Sequence, residues 1–232
     1  MVSPYLRASL SAITARIKSS AASIKRGPEE ITLVAVTKSF PPEIWHDALN
    51  ENLTCIGESR VLEAAEKAKN FPYRDKMELH LIGHLQSNKA RKAIKLFDVI
   101  QTIDSIKLAK RINTICAEMG IKQRIFVQIN TGNDPKKQGF SIDIAIDAIR
   151  EISEMKHLIC EGIMTIPPHE LPEKKLLDIY RKTRKIRDMV KKSINNNCKY
   201  LSMGMSNDFE TAITEGATHI RLGTALFGER PQ

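Results

Sequence analysis

The run Ile31-Thr-Leu-Val-Ala-Val-Thr-Lys38, followed at once by Ser39-Phe40-Pro41-Pro42, decides the fold. Its apolar, β-branched residues continue almost without a break, so it reads as a strand covered on both faces, and the prolines end it. The last residue of the run is a lysine. An ammonium is costly inside such a strand, but at the carboxyl end the amine can face a pocket. Partial desolvation there disfavours the cation and frees the amine for Schiff-base chemistry. Taken alone, the pattern fits more simply a lysine that ends a strand and points to water.

The same kind of short apolar run recurs at 53–56, 78–82, 98–103, 124–129, 158–163, 199–203 and 218–222, with helical stretches of mixed charge between. Strands that alternate with helices pair in parallel, because each return crossover takes about a dozen residues. Eight such units in about 200 residues predict a single (β/α)8 TIM barrel of the α/β class. An open doubly wound sheet has the same periodicity, since closure is not encoded locally. Ahead of the barrel, Leu6, Leu10, Ile13, Ile17 and Ile24 mark one face of a helix over 5–25, with Gly27-Pro28 as its stop. The expected organisation is one domain over 1–232, with the extra N-terminal helix in 1–27 and the barrel over 30–230.

At 232 residues and 42% apolar content the chain can bury a sizeable core. No window reaches the ~18 uninterrupted apolar residues of a membrane span, and the N-terminus lacks an apolar signal core, so a cytoplasmic protein with no membrane partner is expected. Cys55, Cys116, Cys160 and Cys198 are far apart and read as reduced, buried thiols rather than a zinc or redox pair. His80 and His84 have i,i+4 spacing, but Gly83 and the preceding strand argue against the helix that a metal pair needs, and no metal is expected. The 36 basic and 27 acidic residues leave +9, much of it from Lys174 to Lys192. There the stripe Leu176, Ile179, Thr183, Ile186, Val190 makes one amphipathic helix with a solvated basic face. Without any nucleic-acid-binding signature, and with 5% aromatics, no specific nucleic-acid partner is expected.

In a barrel the functional groups belong at the C-terminal ends of the strands. Strand seven exits as Leu201-Ser-Met-Gly204-Met205-Ser206-Asn-Asp208 and strand eight as Arg221-Leu-Gly223-Thr224. Small, hydroxyl-bearing loops that open helices present backbone N–H groups to a phosphate, although each loop singly fits an ordinary helix cap. Arg221 stands in an otherwise apolar strand and needs a polar partner if it points inward; a heteroaromatic nitrogen would serve. A lysine for an aldehyde, a cup for a phosphate and an arginine for a ring nitrogen together describe pyridoxal 5′-phosphate.

The segments Ala-Val-Thr-Lys38, His80-x-Ile-Gly83-x-Leu-Gln86-x-Asn88-Lys89, Gly204-Met205-Ser206-x-Asp208 and Arg221-x-Gly223-Thr224-x-x-Phe227-Gly228 resemble the pyridoxal-phosphate homeostasis family. This family shares the barrel of the alanine racemase N-terminal domain, and the likeness runs in order from about Thr32 to Arg230. The resemblance implies a barrel that binds the cofactor without an established reaction and carries no catalytic residue. It places the aldimine on Lys38, the phosphate at Ser206, Gly223 and Thr224, the pyridine nitrogen at Arg221, and Met205 at the phosphate loop, chiefly through its backbone. Lys137, two before Gly139, matches a family lysine with a role in carrying or releasing cofactor. Ser59 stands where the family commonly has asparagine after Gly-Glu.

The expected role is therefore a monomeric carrier that buffers the cofactor and passes it to apo-enzymes, with free amino acids as further partners. The alternative is a weak racemase or lyase using the same lysine. Arginine opposite the pyridine weakens the electron sink, and a racemase needs a second acid/base on the other face, for which the sequence leaves no segment after the barrel. Another alternative is a cofactor-free Schiff-base aldolase, for which a strand-one lysine paired with Arg221 is a poorer fit.

Overall fold

A computed structural model describes residues 4–229, so the terminal residues of the expected domain, including Arg230, lie outside the described residues. Eight parallel strands close into a barrel in sequence order. They are β1 (Thr32–Val36), β2 (Cys55–Glu58), β3 (Glu78–Leu81), β4 (Val99–Ile103), β5 (Gln123–Gln128), β6 (Leu158–Met164), β7 (Tyr200–Ser202) and β8 (His219–Leu222). Closure comes from β1 pairing with β8 through Thr32–His219 and Val34–Arg221 as well as with β2. The open-sheet alternative is thereby excluded.

Helices α1 (Pro4–Ser23), α2 (Ile44–Asn50), α3 (Val61–Lys69), α4 (Ala90–Leu96), α5 (Ile106–Met119), α6 (Ile142–Ser153), α7 (Glu173–Ser193), α8 (Phe209–Thr214) and α9 (Thr224–Phe227) accompany the strands. Their limits follow local chemistry. In α5 the Ser105 hydroxyl accepts from the Leu108 N–H at 3.3 Å, and Gly120, at φ 67°, ends the helix in the left-handed region. The α1 helix buries Leu6, Ile13, Ile17 and Ala21 and packs on α8 and α9, with Arg16 bonded to Glu210 and stacked over Phe209. Helix α7 buries Leu176, Ile179, Thr183, Ile186 and Val190, the stripe read from the sequence, and adds Tyr180.

Two apolar cores result from the period-two alternation of the strands. The larger lies between sheet and helices and takes Ala35, Ile56, Leu79, Leu81, Ile100 and Ile125 from the outward faces. The smaller, inside the barrel, is Val99, Phe126 and Met164 with Ile166 against it. Much of the remaining interior is polar: His80, Gln101, Ser202, His219 and Arg221 are all buried. All four cysteines are free and buried. Among the described residues no helix is long and apolar enough to cross a membrane.

Candidate cofactor site at the C-terminal mouth of the barrel

Lys38 follows β1 by two residues, and in the alternation Val34, Val36, Lys38 it shares the inward face, half-buried. Thr37 between them points outward into a buried cluster. Its hydroxyl donates to Glu58 Oε1 at 2.6 Å and accepts from Trp45 Nε1 at 3.1 Å. Lys67 Nζ donates to the Thr37 carbonyl and to Glu58, each at 2.7 Å, and to Glu63 at 3.0 Å; Glu63 also accepts from the Ser39 N–H. The backbone on both sides of Lys38 is therefore held from outside the barrel. Burial pushes the Glu58 carboxyl above its ordinary range, and Lys67 pulls it back.

Across the mouth, Arg221 is 5% exposed. Its Nη1 donates to Ser202 Oγ at 2.8 Å and its Nη2 to the Thr165 carbonyl at 2.9 Å. Burial lowers the guanidinium from its ordinary value, while Tyr180 and Asp208 favour the cation. The Tyr180 phenol is fully buried, and burial pushes it above its ordinary value, so it holds its proton.

Between these sides lies a cavity of about 470 Å³. Lys38, Met205, Ser206, Arg221, Gly223 and Thr224 line it together, which are six of the residues the sequence proposes for one site. Ile82, Ile166 and Leu176 supply apolar walls. The Ser206 hydroxyl accepts from the Ala225 N–H at 3.4 Å, tying the loop after β7 to the first turn of α9. Asp208 accepts from the Met205 N–H and shapes the same loop. Gly204 is required there: its φ is 94°, and a Cβ would lie 2.6 Å from the Ala212 Cβ. Gly204→Ala should cost about 1–3 kcal/mol in urea unfolding, from strain plus overpacking.

Ser59 and Lys137 are not among the lining residues. Ser59 packs its backbone against Gly83, where a Cβ would meet the Ser59 carbonyl oxygen at 2.2 Å. Lys137 lies in the loop between β5 and α6, its N–H bonded to the Asp134 carbonyl. Conversely, His169 and Glu170, from the loop after β6, border the cavity. In the sequence His169 reads as an ordinary loop histidine, and neither residue's type or spacing sets it apart from its neighbours.

The two histidines spaced i,i+4 diverge. His80 is buried in the barrel and bonds Glu78 and Gln101, while His84 is half exposed and bonds Asp104 at 2.9 Å. Donor atoms of Cys55, Glu78 and His80 do lie within 4.8 Å of one another. Yet the Arg124 guanidinium already bonds Glu78, both His80 nitrogens are engaged, and burial pushes the Cys55 thiol up. The cluster is a hydrogen-bonded one, ill suited to a cation.

A parallel barrel with a lysine just after its first strand and an arginine on its last, both facing one cavity, is the alanine racemase N-terminal type, and residues 8–231 match the family model for the "Alanine racemase, N-terminal domain". Within that class the chain belongs to the pyridoxal phosphate homeostasis protein family. It is 34% identical over 221 residues to the pyridoxal phosphate homeostasis protein of Aquifex aeolicus, covering 95% of this chain and 96% of that one. A protein of unknown function from Bifidobacterium adolescentis superposes with a TM-score of 0.92 at 30% identity, covering 96% of this chain and 94% of that one. PipY of Synechococcus elongatus, solved with PLP bound, superposes at 0.81 with 32% identity, over 91% of this chain and 100% of that one.

Proposed function

We propose that the chain holds pyridoxal 5′-phosphate in the mouth cavity and serves as a reservoir from which the cofactor is passed on. The observation that carries this reading is the meeting of Lys38, Arg221 and the Ser206–Gly223–Thr224 loops around one cavity. The residues fit the group. A buried guanidinium tied to a hydroxyl and a carbonyl, rather than to a carboxylate, suits a neutral heteroaromatic acceptor. Ile82, Ile166 and Leu176 suit the faces of a ring.

When bound, the cofactor supplies an aldehyde that reacts reversibly with amines. Lys38 provides the tethering amine, and the backbone clamp of Lys67 and Glu63 keeps that amine at the mouth. Ser206, Thr224 and the backbone of Gly223 receive the phosphate, in a loop whose shape the Met205–Asp208 bond holds. Arg221 donates to the ring nitrogen and leaves it without a proton, which suits storage better than carbanion chemistry. The acceptors of the released cofactor are apo-enzymes that use it and, transiently, free amino acids.

Titration of the protein with pyridoxal 5′-phosphate should produce a saturable visible band at one equivalent. Loaded protein mixed with an apo-enzyme, in the presence of a scavenger for free cofactor, should restore activity faster than cofactor leaves the protein alone. Equal rates would reduce the role to storage, and no band would sink the reading.

A further inference from the structure

The guanidinium of Arg221 is the end of a buried hydrogen-bond chain that crosses the barrel. Arg221 Nη1 donates to Ser202 Oγ at 2.8 Å, and the Ser202 hydroxyl donates to Gln101 Oε1 at 2.6 Å. Gln101 Nε2 lies 2.6 Å from His80 Nδ1, and His80 Nε2 lies 3.0 Å from Glu78 Oε2. The direction of every bond is fixed by chemistry. Arginine can only donate and a carboxylate can only accept, so with Glu78 holding the His80 Nε2 proton, Ser202 turns its own proton toward Gln101. Gln101 then accepts with its oxygen and donates with its nitrogen, His80 must accept at Nδ1, and its proton sits on Nε2, facing a carboxylate. Ser202, Gln101 and His80 are all fully buried, so water cannot replace a missing partner.

The far end is anchored at the opposite rim. Glu78 is the first residue of β3 and is 35% exposed. It is bonded by Arg124, which also binds Glu161 at 2.9 Å. The bond from His80, opposed by burial and reinforced by Arg124, holds the Glu78 carboxyl below its ordinary range, so it is an acceptor at neutral pH. His219, whose ring centre lies 5.9 Å from that of His80, is kept neutral by burial, its pKa lowered to about 3.

We propose that Glu78, His80, Gln101 and Ser202 form a positioning relay that fixes the donor geometry of Arg221 toward the ring nitrogen of the bound cofactor. This rests on the cofactor reading above. A cation at one end and a carboxylate at the other polarise every intervening bond the same way, so the bonds strengthen one another. Glu78 is what makes the order unique. With an amide in its place, His80 can move its proton to Nδ1, Gln101 can flip, and Ser202 would receive donors from both sides. The Arg221 guanidinium would then share its acceptor with a second donor, and the Ser202 proton would no longer have a partner in the relay.

The test compares Glu78→Gln with Glu161→Gln, which removes the other carboxylate on Arg124 without touching the relay. Glu78→Gln should weaken pyridoxal 5′-phosphate binding about 3- to 10-fold and shift the pH midpoint of the bound cofactor's visible absorption. Glu161→Gln should match the wild type in both. Nitrogen-15 NMR of the cofactor-free protein should show His80 protonated on Nε2 in the wild type and in Glu161→Gln, and a mixture of tautomers in Glu78→Gln. Identical affinity and pH midpoint in Glu78→Gln and wild type, or an Nδ1-protonated His80 in the wild type, would overturn the relay. Failure of the wild type to take up cofactor would overturn the underlying reading instead, and the NMR result would separate the two.

Discussion

Lys38→Ala should lose all borohydride-dependent attachment of pyridoxal 5′-phosphate, together with the visible band of the bound cofactor. Affinity should fall about 100-fold, equivalent to about 2.7 kcal/mol. It should not vanish, because the Ser206, Gly223 and Thr224 loops and Arg221 line the cavity independently of the lysine. Phosphate recognition by backbone donors and a hydroxyl does not need the covalent tether. Lys137→Ala is the companion variant. Its loop between β5 and α6 does not line the cavity, so trapping at Lys38 should persist at one equivalent. Mass mapping of the reduced adduct decides both. An adduct that survives in Lys38→Ala and maps to another lysine would remove Lys38 from the site.

What the sequence discloses and what it hides divide along chain distance. Strand β1 and the lysine that follows it, the Gly204–Ser206 loop and the arginine of β8 are local patterns, and each could be read from a few neighbouring residues. The relay could not. Ser202 and Gln101 meet across 101 positions, and which strands face each other through a barrel interior is settled only by closure and register. A weaker signal was present. Glu78 and His80 on β3, Gln101 on β4, and His219 and Arg221 on β8 are polar interruptions of apolar strands, and within β3 and β8 they fall two apart. Alternation of that kind marks one face of a strand, and polar residues on an enclosed face need partners. The cluster of Thr37, Glu58 and Lys67 was hidden for a different reason. Lys67 sits on a charged helix segment and looks like a solvated residue, yet its side chain is 3% exposed.

That burial makes Lys67→Met the substitution with the largest expected effect on stability. Glu58 is completely buried, and Lys67 is its ion-pair partner, at 2.7 Å. Removal of one partner from a buried pair leaves an uncompensated charge, which costs about 3–5 kcal/mol. For a chain of this size each kcal/mol lowers the melting temperature by about 2–4 °C, so a drop of roughly 6–20 °C should follow. The pH dependence has a definite sign. Burial already raises the folded-state pKa of Glu58, and loss of Lys67, which opposes that rise, must raise it further. A carboxyl with a raised folded pKa binds its proton more tightly in the native state than in the unfolded chain, where it titrates near 4.3. The native state then loses stability as pH rises through the window between the two values. The deficit of Lys67→Met should therefore be greatest near neutral pH and shrink on acidification toward pH 5. Adding Glu58→Gln, which removes the charge but can keep the bonds from Thr37 and Trp45, should recover most of the loss at pH 7. Urea unfolding of the single and double variants at two pH values measures this. A deficit that grows on acidification would show that the pair is not the source. Because Lys67 also holds the Thr37 carbonyl, and Glu63 the Ser39 N–H, the backbone of Lys38 loosens in the single variant. The double variant still lacks that clamp, so it should regain stability without regaining full retention of the cofactor. Recovery of both together would mean that Lys67 serves the ion pair alone and does not position the lysine.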